Sequence, residues 1–309
     1  MRAYSIIFFF LIMLVISCKS YYTNIGDKKA NYIPYYLKVY EADSLYLTNN
    51  FQRSYEILDS LFKKYEPIDM ENYNEYSTYI ITSALTGHTD SIDIKFKKIV
   101  SDFGGIGISH PDRESIFTKV DSVFNINGIT KEKFIAYKEE YTKKINLELR
   151  KRIKKMLIED QSVRTNYDQK GMDFFQEKHR IEIEDIISKY GYPNYKVIGT
   201  MGFYQNESDE SFGPISFKTI FLHQSEQMKA KYLPMLFYNL KNGKCLPEEY
   251  ASIYDKKMWG ETAKMNKPMQ LYGSFSDVVL ADSLKINSLR KSIGLPSLEY
   301  EKWRNNKVL

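Results

Sequence analysis

The chain has only two cysteines, Cys18 and Cys245, so a disulfide framework is excluded. Its four histidines (His88, His110, His179, His223) are scattered, and none stands at metal-ligand spacing from another. Neither a metal site nor a cofactor is therefore expected. The formal net charge of +5 is modest for a nucleic-acid binder, and no nucleic-acid partner is expected. Past the N-terminus no apolar run approaches the roughly 20 residues that span a bilayer. The one glycine cluster, Phe103-Gly104-Gly105-Ile106-Gly107, lacks the spacing and the lysine of a phosphate-binding loop and reads as a connector. Ser225, which lies near His223, has no nucleophile-elbow glycines around it.

What is present begins at the first residues. Arg2 precedes an unbroken apolar run from Ile6 to Ile16, too short for a membrane span and suited to a secretory signal. The run ends in Val15-Ile16-Ser17-Cys18, which resembles a lipobox: branched apolar residues, a small residue before the cut, then cysteine. The resemblance implies that residues 1–17 are a lipoprotein signal peptide. It also implies that Cys18 is lipidated, tying the mature protein to a membrane, and two or three acyl chains make a durable anchor at roughly 0.8 kcal/mol per buried methylene. Lys19 and Ser20 follow the cysteine, with no aspartate directly after it. The expected location is the cell envelope, on the periplasmic face of an outer membrane. Residues 18–33 are polar and aperiodic and read as a tether. With Cys18 lipidated, Cys245 has no intrachain partner.

A chain that is 43% apolar and 27% charged is expected to fold around a core. Residues 34–128 carry helical periodicity and read as a helical-hairpin domain. Tyr36, Val39, Tyr40, Asp43 and Leu47 outline one helix; Tyr55, Leu58, Leu61 and Phe62 outline a second, from Phe51 to Tyr65. Ala42 and Ser54 take the small positions, and Asn49-Asn50-Phe51 the turn. A related pattern recurs about 38 residues on, around Ala84, Leu85, Gly87, Asp90 and Ile92, near the ~34-residue period of such repeats. This stretch resembles a tetratricopeptide repeat, with a plain helical bundle as the alternative. Tyr (26) and Phe (18) are abundant, reflecting either genome composition or an aromatic surface.

Residues 129–309 read as a long helix followed by an α-rich domain with a small β-hairpin element, so the fold class expected is mainly α. The long helix is expected from Thr130 to Arg164. Its apolar stripe is Ile145, Leu149, Ile153, Met156 and Leu157, and its other faces carry Lys143, Lys144, Arg150, Lys151, Arg152, Lys154 and Lys155. Those cations either rest on anionic headgroups or form a solvated face. After Asp160-Gln161-Ser162-Val163-Arg164 comes a helix with Ile183, Ile186, Ile187 and Tyr190 inward, stopped by Gly191-Tyr192-Pro193. Then follow Ile198-Gly199, His223-Gln224, a helix starting at Tyr232-Leu233-Pro234-Met235, a helix through Ala251 to Asp255 that stops at Gly260, and strand-like Gln270-Leu271-Tyr272-Gly273. This succession resembles the DUF6624 family over about residues 155–300. The chain departs from the family pattern at Leu222, Lys256 and Ser274-Phe275, where glutamine, arginine and Thr-Gln would stand.

The resemblance singles out His223 and Asp255 as catalytic candidates, with Gln224, Gln270 and Tyr272 as ligand-binding candidates. Two readings follow. One is a membrane-anchored, non-catalytic binding or protein-interaction module with an envelope protein as its partner. The other is a hydrolase or ligand-processing domain in which Asp255 orients His223. In the first, the same polar residues form a buried network that fixes helix packing.

Overall fold

The computed structural model describes residues 22–200 and 215–308; the apolar run 6–16 and Cys18 lie outside them. Fourteen α-helices and one pair of two-residue strands make the described residues mainly α, as the periodicity predicts. No helix among them is long and apolar enough to cross a membrane.

The chain opens with α1 (Ile33–Leu47), α2 (Phe51–Phe62), α3 (Glu75–Leu85) and α4 (Ile92–Phe103). Each packs on the next and α1 also meets α3, the neighbour pattern of stacked helical hairpins. The two small residues do what their size suggests. Ser54 and Ala42 are buried against each other, and the Ser54 hydroxyl donates to the Ala42 carbonyl at 2.8 Å. Asn49 closes the turn in left-handed backbone (φ 63°), a conformation asparagine tolerates better than most residues.

Helix α1 is the centre of the molecule. Tyr35, Tyr36, Val39, Tyr40, Ala42, Asp43, Tyr46 and Leu47 are all buried. The cover comes from both ends of the sequence, and one main hydrophobic core runs from Tyr32 to Leu295. The Tyr36 hydroxyl donates to the Leu240 carbonyl at 2.9 Å. Asp43 accepts the Tyr300 hydroxyl and the Arg304 Nε at 2.7 Å, and Arg304 also donates to the Asn72 carbonyl at 2.5 Å. Even the segment read as a tether is held from Thr23 onward. Thr23 bridges to Tyr65, and the Gly26 and Tyr32 amides donate to the Asn242 and Lys241 carbonyls.

Next come α5 (Arg113–Ile126), α6 (Lys131–Lys144), α7 (Leu147–Thr165) and α8 (Gln169–Tyr190). The single helix expected over Thr130–Arg164 is thus two, broken at Ile145-Asn146. Asn146 donates its amide to the Val197 carbonyl at 2.9 Å, and its side chain accepts the Leu149 amide to cap α7. The basic stripe is broken up too. Arg150 is fully buried and donates to the Ile198 and Gly199 carbonyls at 2.6 and 3.2 Å. Arg152 pairs with Glu182 and Asp185, and Lys144 with Asp102. Helix α8 ends at Gly191 as its glycine predicts, with Ile183 and Ile186 buried but Tyr190 exposed.

The remainder is α9 (Tyr195–Ile198), α10 (Phe217–Leu222), α11 (Glu226–Lys241), α12 (Pro247–Ala263), β1 (Met269–Gln270), β2 (Val279–Leu280), α13 (Ile286–Ser292) and α14 (Leu298–Val308). Three expectations change here. Helix α11 starts at Glu226, not at Tyr232, because the Ser225 hydroxyl accepts the Met228 amide as an N-cap, and Pro234 falls inside the helix. Helix α12 runs through Gly260, against which the Glu226 carboxylate lies. The β element is no hairpin: β1 and β2 pair in parallel, Met269 with Val279 and Gln270 with Leu280.

Removing one partner of a buried ion pair strands the other charge and typically costs about 3–5 kcal/mol. Arg304→Ala is expected to lower unfolding free energy by about that amount in urea titrations, since Asp43 loses its counter-charge and keeps only the Tyr300 hydroxyl, and the Asn72 carbonyl loses the Arg304 donor. A loss under about 1 kcal/mol would show that the clamp is dispensable.

Candidate functional site

The five candidates separate into two groups. Asp255, on α12, is buried and spends both oxygens on the loop after β1. Oδ1 accepts the Leu271 and Tyr272 amides at 2.7 and 2.9 Å, and Oδ2 accepts the Ser274 amide at 3.0 Å and its hydroxyl at 2.8 Å. Gln270 closes the same loop from the inside. Its Nε2 donates to the Phe275 and Val278 carbonyls, both at 2.6 Å, and its Oε1 accepts the Phe275 amide at 2.9 Å. Tyr272 is buried with its ring against Tyr254 and Tyr250, and its carbonyl accepts Arg290 Nη1 at 2.6 Å. Burial, then Tyr250 and Tyr254, raises its pKa and keeps the phenol neutral. These three residues shape a loop.

His223 belongs to a different assembly. The carboxylate within its reach is Asp160, whose Oδ2 lies 2.7 Å from His223 Nδ1; none of the four bonds to Asp255 involves His223. His223 caps the C-terminus of α10, which packs on both α7 and α12. Asp160 sits near the end of α7 and its other oxygen accepts Arg164 Nε at 3.1 Å, one helical turn on. Gln161 Nε2 adds a bond to Oδ2 at 2.7 Å. Burial alone would raise the Asp160 pKa, but His223 and Arg164 outweigh it and hold the carboxyl below its ordinary value. A carboxyl depressed in this way contributes stability above its unfolded value of about 3.9 and loses it as pH falls through the folded value.

Around this pair the charge is positive. Lys229, almost wholly buried, donates to the Leu222 and Gln224 carbonyls at 3.2 and 2.5 Å, and burial with help from Lys256 and Arg164 pushes its pKa down to about 8. Gln224 is itself buried, and its backbone amide donates to the Phe221 carbonyl at 3.1 Å. Lys256, the residue after Asp255, lies 3.8 Å above the Trp259 ring; burial first, then Arg164, lowers its pKa. Glu226 partly compensates both lysines. His223, at 24% side-chain exposure, and Arg164, at 29%, are the open members. With Nδ1 turned to Asp160, His223 presents Nε2 away from that partner.

A second histidine–acid pair stands one residue earlier. Glu159 Oε2 lies 3.0 Å from His179 Nε2, but His179 is sealed between α7 and α8 with its ring on Phe175. Burial would raise the Glu159 pKa; Lys178 and His179 lower it overall. Ser225, the hydroxyl nearest His223 in sequence, is engaged as the α11 cap. Cys18 lies outside the described residues. Asp160 and Arg164 were visible in the sequence as part of one short motif, but nothing local ties them to a histidine 63 residues on. Lys229 carried no signal, because its role depends on carbonyls freed at the end of a six-residue helix.

Family models, curated proteins and solved structures offer no match to this chain.

A structural Asp255 and a ligand-contacting one are separable by experiment. Asp255→Ala leaves three loop amides without their acceptor and is expected to cost about 3 kcal/mol or more. Asp160→Asn is expected to cost less, because an amide oxygen still accepts from Arg164. Equal tolerance of both changes in thermal denaturation would contradict these roles.

Proposed function

We propose that the protein is a lipid-anchored binding module of the cell envelope, held on the periplasmic face of an outer membrane by acyl chains on Cys18, and that it takes an anionic group at the His223 cluster. The observation that carries the binding site is the arrangement around Asp160. One buried carboxylate fixes His223 and Arg164 side by side, and two lysines, Lys229 and Lys256, are close enough to add to the positive potential of Arg164. Arg164 lowers the pKa of both lysines, and a ligand carboxylate or phosphate among these cations would relieve that repulsion. The stacked hairpins α1–α4 offer a surface for an envelope protein partner.

A second reading has one observation in its favour. Asp160 engages Nδ1 of His223, the orientation that leaves Nε2 to act as a general base. The capped Ser225 argues against an enzyme-borne nucleophile, so in this reading water would be the attacking group.

The test is calorimetric titration of the mature protein with inorganic phosphate and with acetate at low salt. Saturable binding that weakens about tenfold in Arg164→Gln or Lys256→Gln, a loss of about 1.4 kcal/mol, is expected. Absence of saturation in the tens-of-millimolar range would overturn the site. The anchor is tested separately: Cys18→Ser should abolish radiolabelled palmitate incorporation, and retained label would contradict it. The hydrolytic reading requires turnover of a chromogenic ester or phosphoester that is lost in His223→Gln.

A further inference from the structure

A cavity of about 810 Å³ is built by other elements: α4, α5, α6 and the segment before α3. Its volume lies within the range of small-molecule sites, roughly 300–1,000 Å³. The walls are phenylalanines: Phe96 and Phe103 from α4, Phe117 and Phe124 from α5, and Phe134 from α6. Phe117 is 59% exposed and Phe134 38%, an apolar exposure that a bound ligand would relieve.

The glycine cluster read as a connector forms one edge. Gly104 has φ 88°, and a Cβ there would stand 2.7 Å from Tyr141 Cε1, so only glycine lets the turn lie against that ring and leave the space open. Two non-glycine lining residues, Asp69 (φ 58°) and Asn74 (φ 47°), hold left-handed backbone, a strained conformation that accumulates at ligand sites.

The polar end is acidic. Asp69 Oδ1 accepts the Tyr76 amide at 3.0 Å, and Glu71 Oε2 accepts the Tyr195 hydroxyl at 2.8 Å. Behind them Glu75 is buried, its oxygens taken by the Tyr35 hydroxyl at 2.6 Å and the Met70 amide at 2.7 Å. Burial, then Glu75, raises the Asp69 pKa well above the carboxylate range; burial is also the main cause of the rise at Glu71, opposed by the Tyr195 hydrogen bond and then by Lys218. The cation on the lining nearest the glycine turn, Lys138, donates to the Gly104 carbonyl at 2.5 Å and sits 5.4 Å from the Tyr141 ring centroid.

We propose that this cavity binds an organic amine, its ammonium head at Asp69 and Glu71 and its apolar body against the phenylalanine walls. A bound ammonium supplies the counter-charge that burial denies Asp69 and Glu71, and the ring faces favour both a hydrocarbon body and an adjacent cation. The site shares no residue with the His223 cluster and stands or falls apart from it.

Three probes of one shape and different head charge test it: 4-phenylbutylammonium, 4-phenylbutanol and 4-phenylbutyrate, titrated into the mature protein by calorimetry. The ammonium is expected to bind about tenfold tighter than the alcohol, and the butyrate weakest. Phe117→Ala, at an exposed wall, should weaken ammonium and alcohol by a similar factor. Asp69→Asn should remove most of the preference for the ammonium; Glu71→Gln makes the same test if Asp69→Asn does not fold. Equal affinity for all three probes, preference for the butyrate, or an ammonium affinity indifferent to Phe117→Ala would overturn the proposal.

Discussion

Helix α1 must be covered on nearly every side, and the two ends of the chain do the covering. Its tyrosines account for much of this. Tyr35, Tyr36 and the N-cap Tyr32 each bring a large apolar ring into the core and a hydroxyl that reaches across to another element: Tyr32 to the Thr23 and Glu66 carbonyls, Tyr35 to Glu75, Tyr36 to the Leu240 carbonyl. Tyr40 and Tyr46 add rings whose hydroxyls are buried without a hydrogen-bond partner among the described residues. Asp43 makes the demand sharper. Burial raises its pKa in spite of Arg304, so the carboxylate is tolerated only while α14 supplies Arg304 and Tyr300. The abundance of tyrosine seen in the sequence is thus, on α1, a property of the core.

Buried carboxylates recur through the fold and differ in what they leave free. Asp255 has all its capacity used by one loop, and Gln270 locks the same loop from within. Asp160 also has its oxygens occupied, but by side chains whose far ends are open, His223 and Arg164. A saturated acid fixes backbone; an acid that orients a partly exposed imidazole and a partly exposed guanidinium builds a surface with chemistry. That difference separates scaffold from candidate site within residues that look alike in sequence.

The elements were legible wherever local patterning decides them. Periodicity with a terminating glycine gave α8 through Gly191, and the small residues Ala42 and Ser54 marked a true helix contact. What failed locally depends on distant partners. The break at Asn146 is held by the Val197 carbonyl, 51 residues on by chain position, and the parallel pairing of β1 with β2 by the loop Asp255 organises. The helix expected from Tyr232-Leu233-Pro234-Met235 begins six residues earlier, where Ser225 supplies the cap. At the candidate site, His223 was legible as a residue and Asp160 as part of a motif. Their pairing was not, since an aspartate at 255 satisfied the same pattern and only packing of α10 against α7 selects 160.

If α1 is what both ends of the chain require, they should open together. Hydrogen exchange of the protein, followed by mass spectrometry in increasing denaturant, reads this directly. Amides of α1, of the α11 C-terminus and of α14 are expected to share one opening free energy and one denaturant dependence. Protection that persists through α1–α4 while α12–α14 exchange freely at lower denaturant would contradict the account.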